Sequence, residues 1–521
     1  MITHPLTPEQ LRAATSNSRL CYVKAGPGSG KTYLATEAYG YLRYERYRSD
    51  PRGVVGVTFA RSARAELESR IRVRWGNRSV AWPNAVCTFD ELHRRLLRYL
   101  VHHGLLAWPS GVFPQKIDDT WHDHPGATGS PGKKTRYRIG LDPEGKVEVF
   151  ATRSERRAPK PCFVDPAALR AAVRAGYSTH AEVRNVLLAA LDGDTYPALD
   201  GAVSRCLAGS YCHLIVDESF DMDVLDALVV QRAIDAGVTV TLVGDPWQSL
   251  YEFRGASPQR VEDLLAQYKF TRIDMPGSHR YKSAEMQTLA RALFDEKPFR
   301  VRAASTGDEF DVVLAHDWTT LWDEDRIDVL PVGRPSRLDG SHLANCFVVL
   351  LNEVVRENFD REASGVGEAR RKLGVESSEG RLDDVLEALR EPSVPISEVW
   401  AALQAEFSRQ GEIWKAQGAL ARKYMERLRY LACQPEAPGL GLTIHQAKGL
   451  EWDRVLLLNG ELTTSPAYVN RLNRQHESHR SVYVGVTRAR YAVRVLTVTA
   501  NRYAPSKPEQ IERARNRIRL P

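Results

Sequence analysis

A glycine-rich segment near the start of the chain constrains its fold more than any other feature. The apolar run of residues 20–23 leads into Ala25-Gly-Pro-Gly-Ser-Gly-Lys31-Thr32, and a helical pattern follows from Tyr33. This order is typical of a phosphate-binding loop, in which glycines let consecutive backbone N–H groups point at phosphate oxygens. The segment therefore predicts a nucleoside triphosphate site, although Ala25 stands where the strict pattern has its first glycine.

Each residue type in this loop has a chemical reason to be there. Lys31 would reach the β- and γ-phosphates, and the hydroxyl of Thr32 would hold Mg²⁺. The phosphates would lie against the backbone amides of four further residues: Gly26, Gly28, Ser29 and Gly30. We therefore expect a nucleoside triphosphate and Mg²⁺ as cofactors.

Length, charge and cysteine usage bound the class of protein. The chain has 521 residues, with 72 Lys and Arg against 65 Asp and Glu, which leaves a net charge of +7. This length allows several domains, and the mild basic bias is compatible with a nucleic-acid partner without establishing one. The seven cysteines form no Cys-x-x-Cys pair, which is typical of a reducing compartment. With no apolar run long enough to span a bilayer, we expect a cytoplasmic protein with no membrane partner.

Alternation of strands and helices predicts the domain organisation. Over the first hundred residues it indicates a parallel α/β sheet, and strands resume at 211–216 and 238–243. We therefore predict a first α/β domain formed by residues 1–100 and 206–275. An insertion of mixed character, 101–205, would interrupt it, with a hairpin around residues 142–145 and a helix over 167–191.

A second α/β domain is predicted in the later part of the chain. It would comprise residues 276–345 and 431–521. The intervening residues 346–430 read mostly as charged amphipathic helices, which predicts a small helical insertion.

Two acids follow an apolar strand in the first predicted domain, in the sequence Leu214-Ile-Val-Asp217-Glu218. A carboxylate at the end of a buried strand can hold Mg²⁺ through water, and its neighbour can orient or deprotonate an attacking water. We therefore predict Asp217 as the metal residue and Glu218 as the catalytic base.

A further block follows the next strand, in the sequence Gly244-Asp-Pro-Trp-Gln248. At the carboxyl edge of an open α/β sheet, Gln248 could contact the γ-phosphate or its attacking water. Tyr251 and Phe253, beside Arg254, are suited to stacking on unpaired bases. Aromatic residues also pack in cores, and the sequence leaves the two roles open.

Three later blocks complete a set: His279-Arg280-Tyr281, Thr443–Trp452 and Ser481–Arg490. In order and spacing, all of these blocks together resemble the motifs of superfamily 1 DNA helicases of the UvrD/Rep/PcrA type, over nearly the whole chain. The resemblance implies two RecA-like P-loop domains with parallel sheets and ATP hydrolysis between them. It also implies movement along single-stranded DNA in the 3′-to-5′ direction and action at junctions of single- and double-stranded DNA.

The resemblance also implies roles for single residues. Arg280 and Arg488 would be arginine fingers that act with Glu218 and Gln248 in hydrolysis. Gln10 would read the adenine, Tyr33 and His279 would sandwich it, and Glu451 would contact the ribose. The remaining matches lie at family positions along single-stranded DNA: Phe59, Thr88, Phe89, Tyr251, Phe253 and His445.

Two departures from the family pattern leave the function open. Phe220 stands where relatives usually carry a glutamine that links nucleotide state to DNA contacts, and the helical insertion is short, a reduced 2B-like form. One interpretation is a compact ATP-dependent translocase and helicase, either less self-inhibited or reliant on a partner protein for processivity. The alternative is a DNA-stimulated ATPase or sensor subunit of a larger repair or anti-phage defence complex, with little unwinding of its own.

Overall fold

The chain folds into two compact units, Met1–Gly277 (unit 1) and Ser278–Pro521 (unit 2). The computed structural model describes residues 6–121, 124, 127, 135–153, 163, 165–250, 255–338, 342–375, 382–407, 418–498 and 517–519. Among these residues, no helix combines the length and apolar character needed to cross a membrane.

Unit 1 contains nine described helices and ten described strands. Its helices are α1 (Pro8–Ala14), α2 (Lys31–Tyr41), α3 (Arg61–Trp75), α4 (Phe89–His102), α5 (Pro166–Arg174), α6 (His180–Ala190), α7 (Pro197–Ser210), α8 (Val224–Asp235) and α9 (Pro258–Gln267). Its strands are β1 (Leu20–Ala25), β2 (Gly53–Thr58), β3 (Ala85–Thr88), β4 (Lys116–Asp118), β5 (Thr135–Leu141), β6 (Val147–Arg153), β7 (Tyr177–Thr179), β8 (Tyr211–Val216), β9 (Thr239–Gly244) and β10 (Thr271–Met275).

The main sheet of unit 1 has six parallel strands in the order β10-β1-β9-β8-β2-β3. Strand β1 is buried throughout, and its residues alternate between two cores. Cys21, Val23 and Ala25 pack with α1, α2 and α3, whereas Leu20 and Tyr22 pack on the other side with residues of α4 and α8. Burial of both faces explains why these strands read as continuous apolar runs.

The region between α4 and β8 adds two small sheets to unit 1. Strands β5 and β6 form an antiparallel hairpin, and β4 pairs with β7 in parallel. Apolar residues of α5, α6 and α7 belong to the same core as one face of the main sheet. This region is therefore packed into unit 1 by shared apolar burial.

Unit 2 also has nine described helices, and eight described strands. Its helices are α10 (Ala284–Phe294), α11 (Trp318–Asp323), α12 (His342–Asn358), α13 (Val366–Leu373), α14 (Asp383–Arg390), α15 (Ile396–Phe407), α16 (Ala419–Ala432), α17 (Ile444–Ala447) and α18 (Glu477–Val486). Its strands are β11 (Arg302–Ala303), β12 (Val312–Ala315), β13 (Val329–Pro331), β14 (Gly439–Thr443), β15 (Trp452–Leu458), β16 (Tyr468–Asn470), β17 (Ala489–Leu496) and β18 (Arg517–Arg519).

The main sheet of unit 2 again has six parallel strands, in the order β11-β17-β15-β12-β14-β13. Helices α12–α16 lie in the chain between β13 and β14, which are neighbours in this sheet. The two sheets confirm the predicted α/β class with two parallel sheets. The domain and insertion limits inside each unit stay predictions.

The predicted elements of the 101–205 region were partly wrong. The hairpin is confirmed, with residues 135–141 paired to 147–153. The single helix predicted over 167–191 is instead α5, β7 and α6. The physical reason is Gly176, whose φ of 83° ends the helical path and whose carbonyl accepts hydrogen bonds from Gln115 and Lys116. These bonds start the pairing of β7 with β4, which a helical periodicity could not show.

The packing of α2 on α3 gives a first testable prediction. A Cβ at Gly40 would lie 1.9 Å from Cε2 of Trp75, whose Nε1 donates to the Thr36 carbonyl at 3.0 Å. Gly40→Ala therefore forces the ring to move, at an overpacking cost of roughly 1–3 kcal/mol that exceeds the gain of up to about 1 kcal/mol from helix propensity. We expect the apparent melting temperature to fall by several degrees. Gly209→Ala in α7 is the matched control, because nothing lies within 4 Å of its added Cβ; equal melting of the two variants would contradict the packing argument.

Glu182 gives a prediction for pH dependence. Its carboxylate accepts the N–H of Ile139 at 2.9 Å inside the core, and burial raises its pKa to about 7. In the unfolded chain the pKa of this carboxyl group is about 4.5, so between the two pKa values the unfolded chain is ionised while the folded chain is not. Raising the pH from about 5 to about 8 therefore lowers the free energy of unfolding by up to about 3 kcal/mol. Glu182→Gln keeps an acceptor for Ile139 and removes the titration. Urea unfolding at both pH values should show a smaller loss of stability for the variant; an unchanged pH dependence would refute this role.

Candidate nucleotide site

The glycine-rich loop lies between β1 and α2, as the sequence predicts. Gly28 and Gly30 have φ values of 71° and 82°, a conformation that glycine adopts without strain. Within the loop, Ser29 Oγ donates to the Gly26 carbonyl at 2.7 Å. Helix α2 starts at Lys31 with no side-chain cap and no acidic residue in its first turn, so the positive end of its dipole is left to an anion. This cradle fits the phosphates of a nucleotide.

Gln10 fixes the loop from the neighbouring helix. Its Oε1 accepts the Thr7 N–H at 2.9 Å in a capping box at the start of α1, and its Nε2 donates to the Ser29 carbonyl at 2.9 Å. The residue is only 3% exposed. Gln10 therefore lies beside the loop, as its predicted adenine role requires, and both ends of its amide hold the surrounding backbone. Tyr33 is half-buried in the first turn of α2.

The two predicted acids lie at the same edge of the sheet. Strand β9 separates β1 from β8, and the carboxyl ends of parallel strands meet at one edge, so Asp217 follows β8 close to the loop. Lys31 Nζ is 3.5 Å from Glu218 Oε1. Burial raises the pKa of Asp217 to about 7, with the adjacent Glu218 adding to this effect and Lys31 opposing it.

Thr32 and Asp217 are the candidates for holding Mg²⁺. This ion usually binds proteins through one or two oxygen ligands together with substrate phosphates and water. Within the described ranges, no group of three or more His, Cys, Asp or Glu side chains is arranged to hold a metal by itself. A carboxylate and a hydroxyl beside a phosphate cradle fit an ion that arrives with its nucleotide.

Gln248 is held by Asp245 at the end of β9. Its Nε2 donates to Asp245 Oδ2 at 2.8 Å, while Asp245 Oδ1 accepts the Trp247 N–H at 3.1 Å. Both Asp245 and Gln248 are buried. No role was predicted for Asp245, although its place three residues before Gln248 was a signal for one.

Phe220 occupies the core beneath this edge. Its ring meets that of Tyr22 edge-on at 6.0 Å, and its carbonyl accepts Ser249 Oγ at 2.9 Å. A Cβ at Gly244 would lie 2.7 Å from Ser219 Oγ, so the turn after Glu218 packs directly on the end of β9. The chain segments that carry Glu218 and Gln248 are thus joined by close backbone packing.

The predicted DNA contacts of unit 1 differ in exposure. Thr88 caps α4 in a capping box with Glu91, and Phe89 is 3% exposed, so both side chains also have structural roles at the first turn of α4. Phe59 is half-buried, and its ring lies 5.1 Å from that of Phe89. The other three, Tyr251, Phe253 and Arg254, lie outside the described residues.

Unit 2 brings its predicted residues together around Arg280. Its Nε donates to Glu451 Oε2 and its Nη1 to the Thr487 carbonyl, both at 2.8 Å. Arg490, for which no role was predicted, forms ion pairs with Glu451 at 3.8 Å and with Asp453 at 2.6 Å. Glu451, predicted for the ribose, here accepts a hydrogen bond from Arg280 and forms an ion pair with Arg490.

Arg488, the second predicted arginine finger, is buried within unit 2. Its Nε donates to the Val484 carbonyl at 3.0 Å and its Nη1 to the Leu450 carbonyl at 3.3 Å. His279 is exposed just before Arg280, and His445 is half-buried at the start of α17, 6.1 Å from the His316 ring. Arg488 therefore joins two segments of unit 2 in this structure.

The two hydrogen bonds of the Gln10 side chain, one to Thr7 and one to Ser29, can be tested separately. Gln10→Glu keeps the capping acceptor but loses the donor to Ser29 and places a carboxylate against a carbonyl. We expect MgATP binding roughly tenfold weaker, since an unpaired buried carbonyl costs about 1–3 kcal/mol. Thr7→Ala is the control: it removes the cap, costs about 1 kcal/mol of stability and leaves affinity unchanged. Titration with a fluorescent ATP analogue measures both; equal affinities for the two variants would count against a role for Gln10 in the loop.

Comparisons with known proteins agree with these features. The model for the UvrD-like helicase C-terminal domain matches residues 441–502, and an AAA domain model matches residues 10–254. The ATP-dependent DNA helicase UvrD2 of Mycobacterium tuberculosis is 26% identical over 548 residues, covering 90% of this chain and 75% of the relative.

Two further relatives align over shorter stretches. The ATP-dependent DNA helicase UvrD1 of Mycobacterium tuberculosis is 26% identical over 51% of this chain and 36% of its own length. DNA helicase IV of Escherichia coli is 23% identical over 63% of this chain and 52% of its own length. The AAA domain model covers the segment that carries the glycine-rich loop. The UvrD-like C-terminal model covers Glu451 and Arg490. The chain is therefore similar to UvrD-like DNA helicases over most of its length.

Proposed function

We propose that this chain is an ATP-dependent DNA helicase that hydrolyses ATP, moves along single-stranded DNA and unwinds junctions, in the 3′-to-5′ direction. The observation that carries the proposal is the meeting of Lys31, Glu218 and Asp217 at one edge of a parallel sheet, beside a glycine cradle. Relatives that bear the name ATP-dependent DNA helicase support the reaction class.

The residues of unit 1 have distinct tasks in this proposal. Lys31 leaves its ion pair with Glu218 for the β- and γ-phosphates, which frees Glu218 to orient and deprotonate the attacking water. Thr32 and Asp217 hold Mg²⁺, which neutralises phosphate charge when bound. Gln248, fixed by Asp245, contacts the γ-phosphate or that water.

The residues of unit 2 complete the proposed site. Arg280 and Arg488 stabilise charge on the γ-phosphate, and His279 with Tyr33 flanks the adenine. Units 1 and 2 are proposed as the two RecA-like domains, with residues 101–205 and 346–430 as their insertions. Phe59, Thr88, Phe89 and His445 line the DNA path together with Tyr251, Phe253 and Arg254. Among the described residues no two cysteines form a disulfide, in keeping with a cytoplasmic protein.

A second function has one specific observation in its favour. The Phe220 ring is buried against Tyr22 and has no polar atom with which to pass nucleotide state to DNA. A chain with weak coupling would act as a DNA-stimulated ATPase or sensor subunit of a larger complex, with little unwinding alone.

Strand displacement separates the two functions. We expect single-stranded DNA to stimulate ATP hydrolysis, and a 3′-tailed duplex, but not a 5′-tailed one, to be unwound with ATP. Lys31→Ala should lower hydrolysis on the order of 10²-fold, because it removes a charge that stabilises the transition state. Lys269→Ala, at an exposed position of unit 1, is the matched control and should act like the unaltered chain.

The possible results have different meanings. Stimulated hydrolysis without displacement of either duplex favours the sensor function. Full hydrolysis by Lys31→Ala would overturn both functions, and displacement of the 5′-tailed duplex would overturn the polarity.

A further inference from the structure

Arg184 of α6 lies at the centre of a charged cluster in unit 1. Its Nη1 donates to Asp90 Oδ1 at 3.2 Å and lies 3.1 Å from His93 Nδ1, both in α4. Its Nη2 donates to Asp223 Oδ2, and its guanidinium is 3.5 Å from Asp226 Oδ1, at the start of α8. One side chain from the region between α4 and β8 thus bonds to two helices of the domain around it.

The cluster is largely withdrawn from solvent. The His93 side chain is 0% and that of Asp226 5% exposed, and His93 Nε2 lies 3.2 Å from Asp226 Oδ1. The Arg184 side chain is 24% exposed. Charge pairs in such surroundings are strong and costly to break, since removal of one partner leaves a buried charge uncompensated. A shift of α4, α6 or α8 alone would break these charge pairs, so it is opposed unless the other two helices shift with it.

One end of the cluster adjoins the predicted DNA contacts. Asp90 lies in the first turn of α4, directly after Thr88, which caps that turn, and Phe89. A second contact supports the same turn, because His180 Nδ1, one helical turn before Arg184, lies 3.9 Å from Asp90 Oδ2.

The other end adjoins the nucleotide site. Asp223 and Asp226 form the capping box of α8, which begins right after the turn Ser219–Asp221 that follows Glu218. The segment after Gln248 rests on the same place: Ser257 N donates to the Met222 carbonyl at 2.8 Å, and a Cβ at Gly255 would lie 3.8 Å from Asp223 Cβ. Arg184 therefore bridges the turn at Thr88 and the turn behind Glu218.

We propose that Arg184 is a positioning residue that transmits DNA binding at the first turn of α4 to the segment carrying Asp217 and Glu218. The inference rests on the proposed function and adds a residue to it. When DNA displaces this turn, Asp90 and His93 move with it, and Arg184 carries the displacement to Asp223 and Asp226. Phe220, buried and apolar, offers no such polar link.

Arg184→Met tests this coupling, because it keeps much of the side-chain length and removes the charge and donors. We expect at least a tenfold loss of the stimulation of ATP hydrolysis by single-stranded DNA. The DNA-independent rate, the KM for ATP and the DNA affinity measured without nucleotide should stay within about twofold. Arg184→Lys should restore part of the stimulation, and Arg170→Met, an exposed arginine of α5, should have no effect.

The outcomes are distinguishable. If the unaltered chain shows no stimulation by DNA, the proposed function fails and this inference with it. If the unaltered chain is stimulated and Arg184→Met is stimulated equally, only the Arg184 inference fails. A parallel fall of basal and stimulated rates together with the melting temperature would show a structural role and overturn the coupling.

A milder variant keeps the test decisive should Arg184→Met not fold. Asp90→Asn removes one charge at the more exposed border of the cluster, where the carboxylate side chain is 41% exposed. We expect a roughly threefold lower stimulation ratio. Hydrogen exchange over residues 223–227 should slow when DNA binds the unaltered chain and respond less in this variant; an equal response in both would refute the transmission through Arg184.

Discussion

Parallel pairing of β1, β9 and β8 is the constraint on which the site of unit 1 depends. The pairing places three carboxyl ends side by side, and each end leads into a different functional segment: the glycine loop, Asp217-Glu218 and Asp245–Gln248. Burial of β1 on both faces fixes its register, because a slip of one residue would exchange Tyr22 and Val23 between the two cores. The chemistry therefore depends on apolar residues that touch no ligand.

Local signals in the sequence were enough to predict much of this site. Strand, loop and helix follow one another within residues 20–41, so their geometry is set by neighbours in the chain. Asp217 and Glu218 were also predictable, because they end an apolar strand. By contrast, the division of residues 167–191 depends on pairing between β4 and β7, which lie far apart in the chain.

The side-chain networks could not be predicted for a related reason. Arg184 meets acids from α4 and α8, and nothing in the residues around it distinguishes it from an exposed arginine. Thr88 and Phe89 matched the family positions; the spacing Thr88-Phe-Asp-Glu91 is also that of a capping box, but the sequence could not show that Phe89 fills a core. Likewise, Arg488 donates to backbone carbonyls, and the positions of these carbonyls depend on backbone conformation and not on the residue types that carry them.

The order of strands in unit 1 also governs how the chain can acquire its structure during synthesis. Strands β1 and β2 are made first, yet they are not neighbours: β9 and β8 lie between them. Strand β2 can pair with β3 soon after it is made, but the only neighbours of β1 in this sheet are β9 and β10, which follow the whole region between α4 and β8. The apolar strand β1 must therefore remain unpaired from its synthesis at Leu20–Ala25 until Thr239–Gly244 is made, a condition in which nascent chains depend on chaperones or on early burial against their own helices.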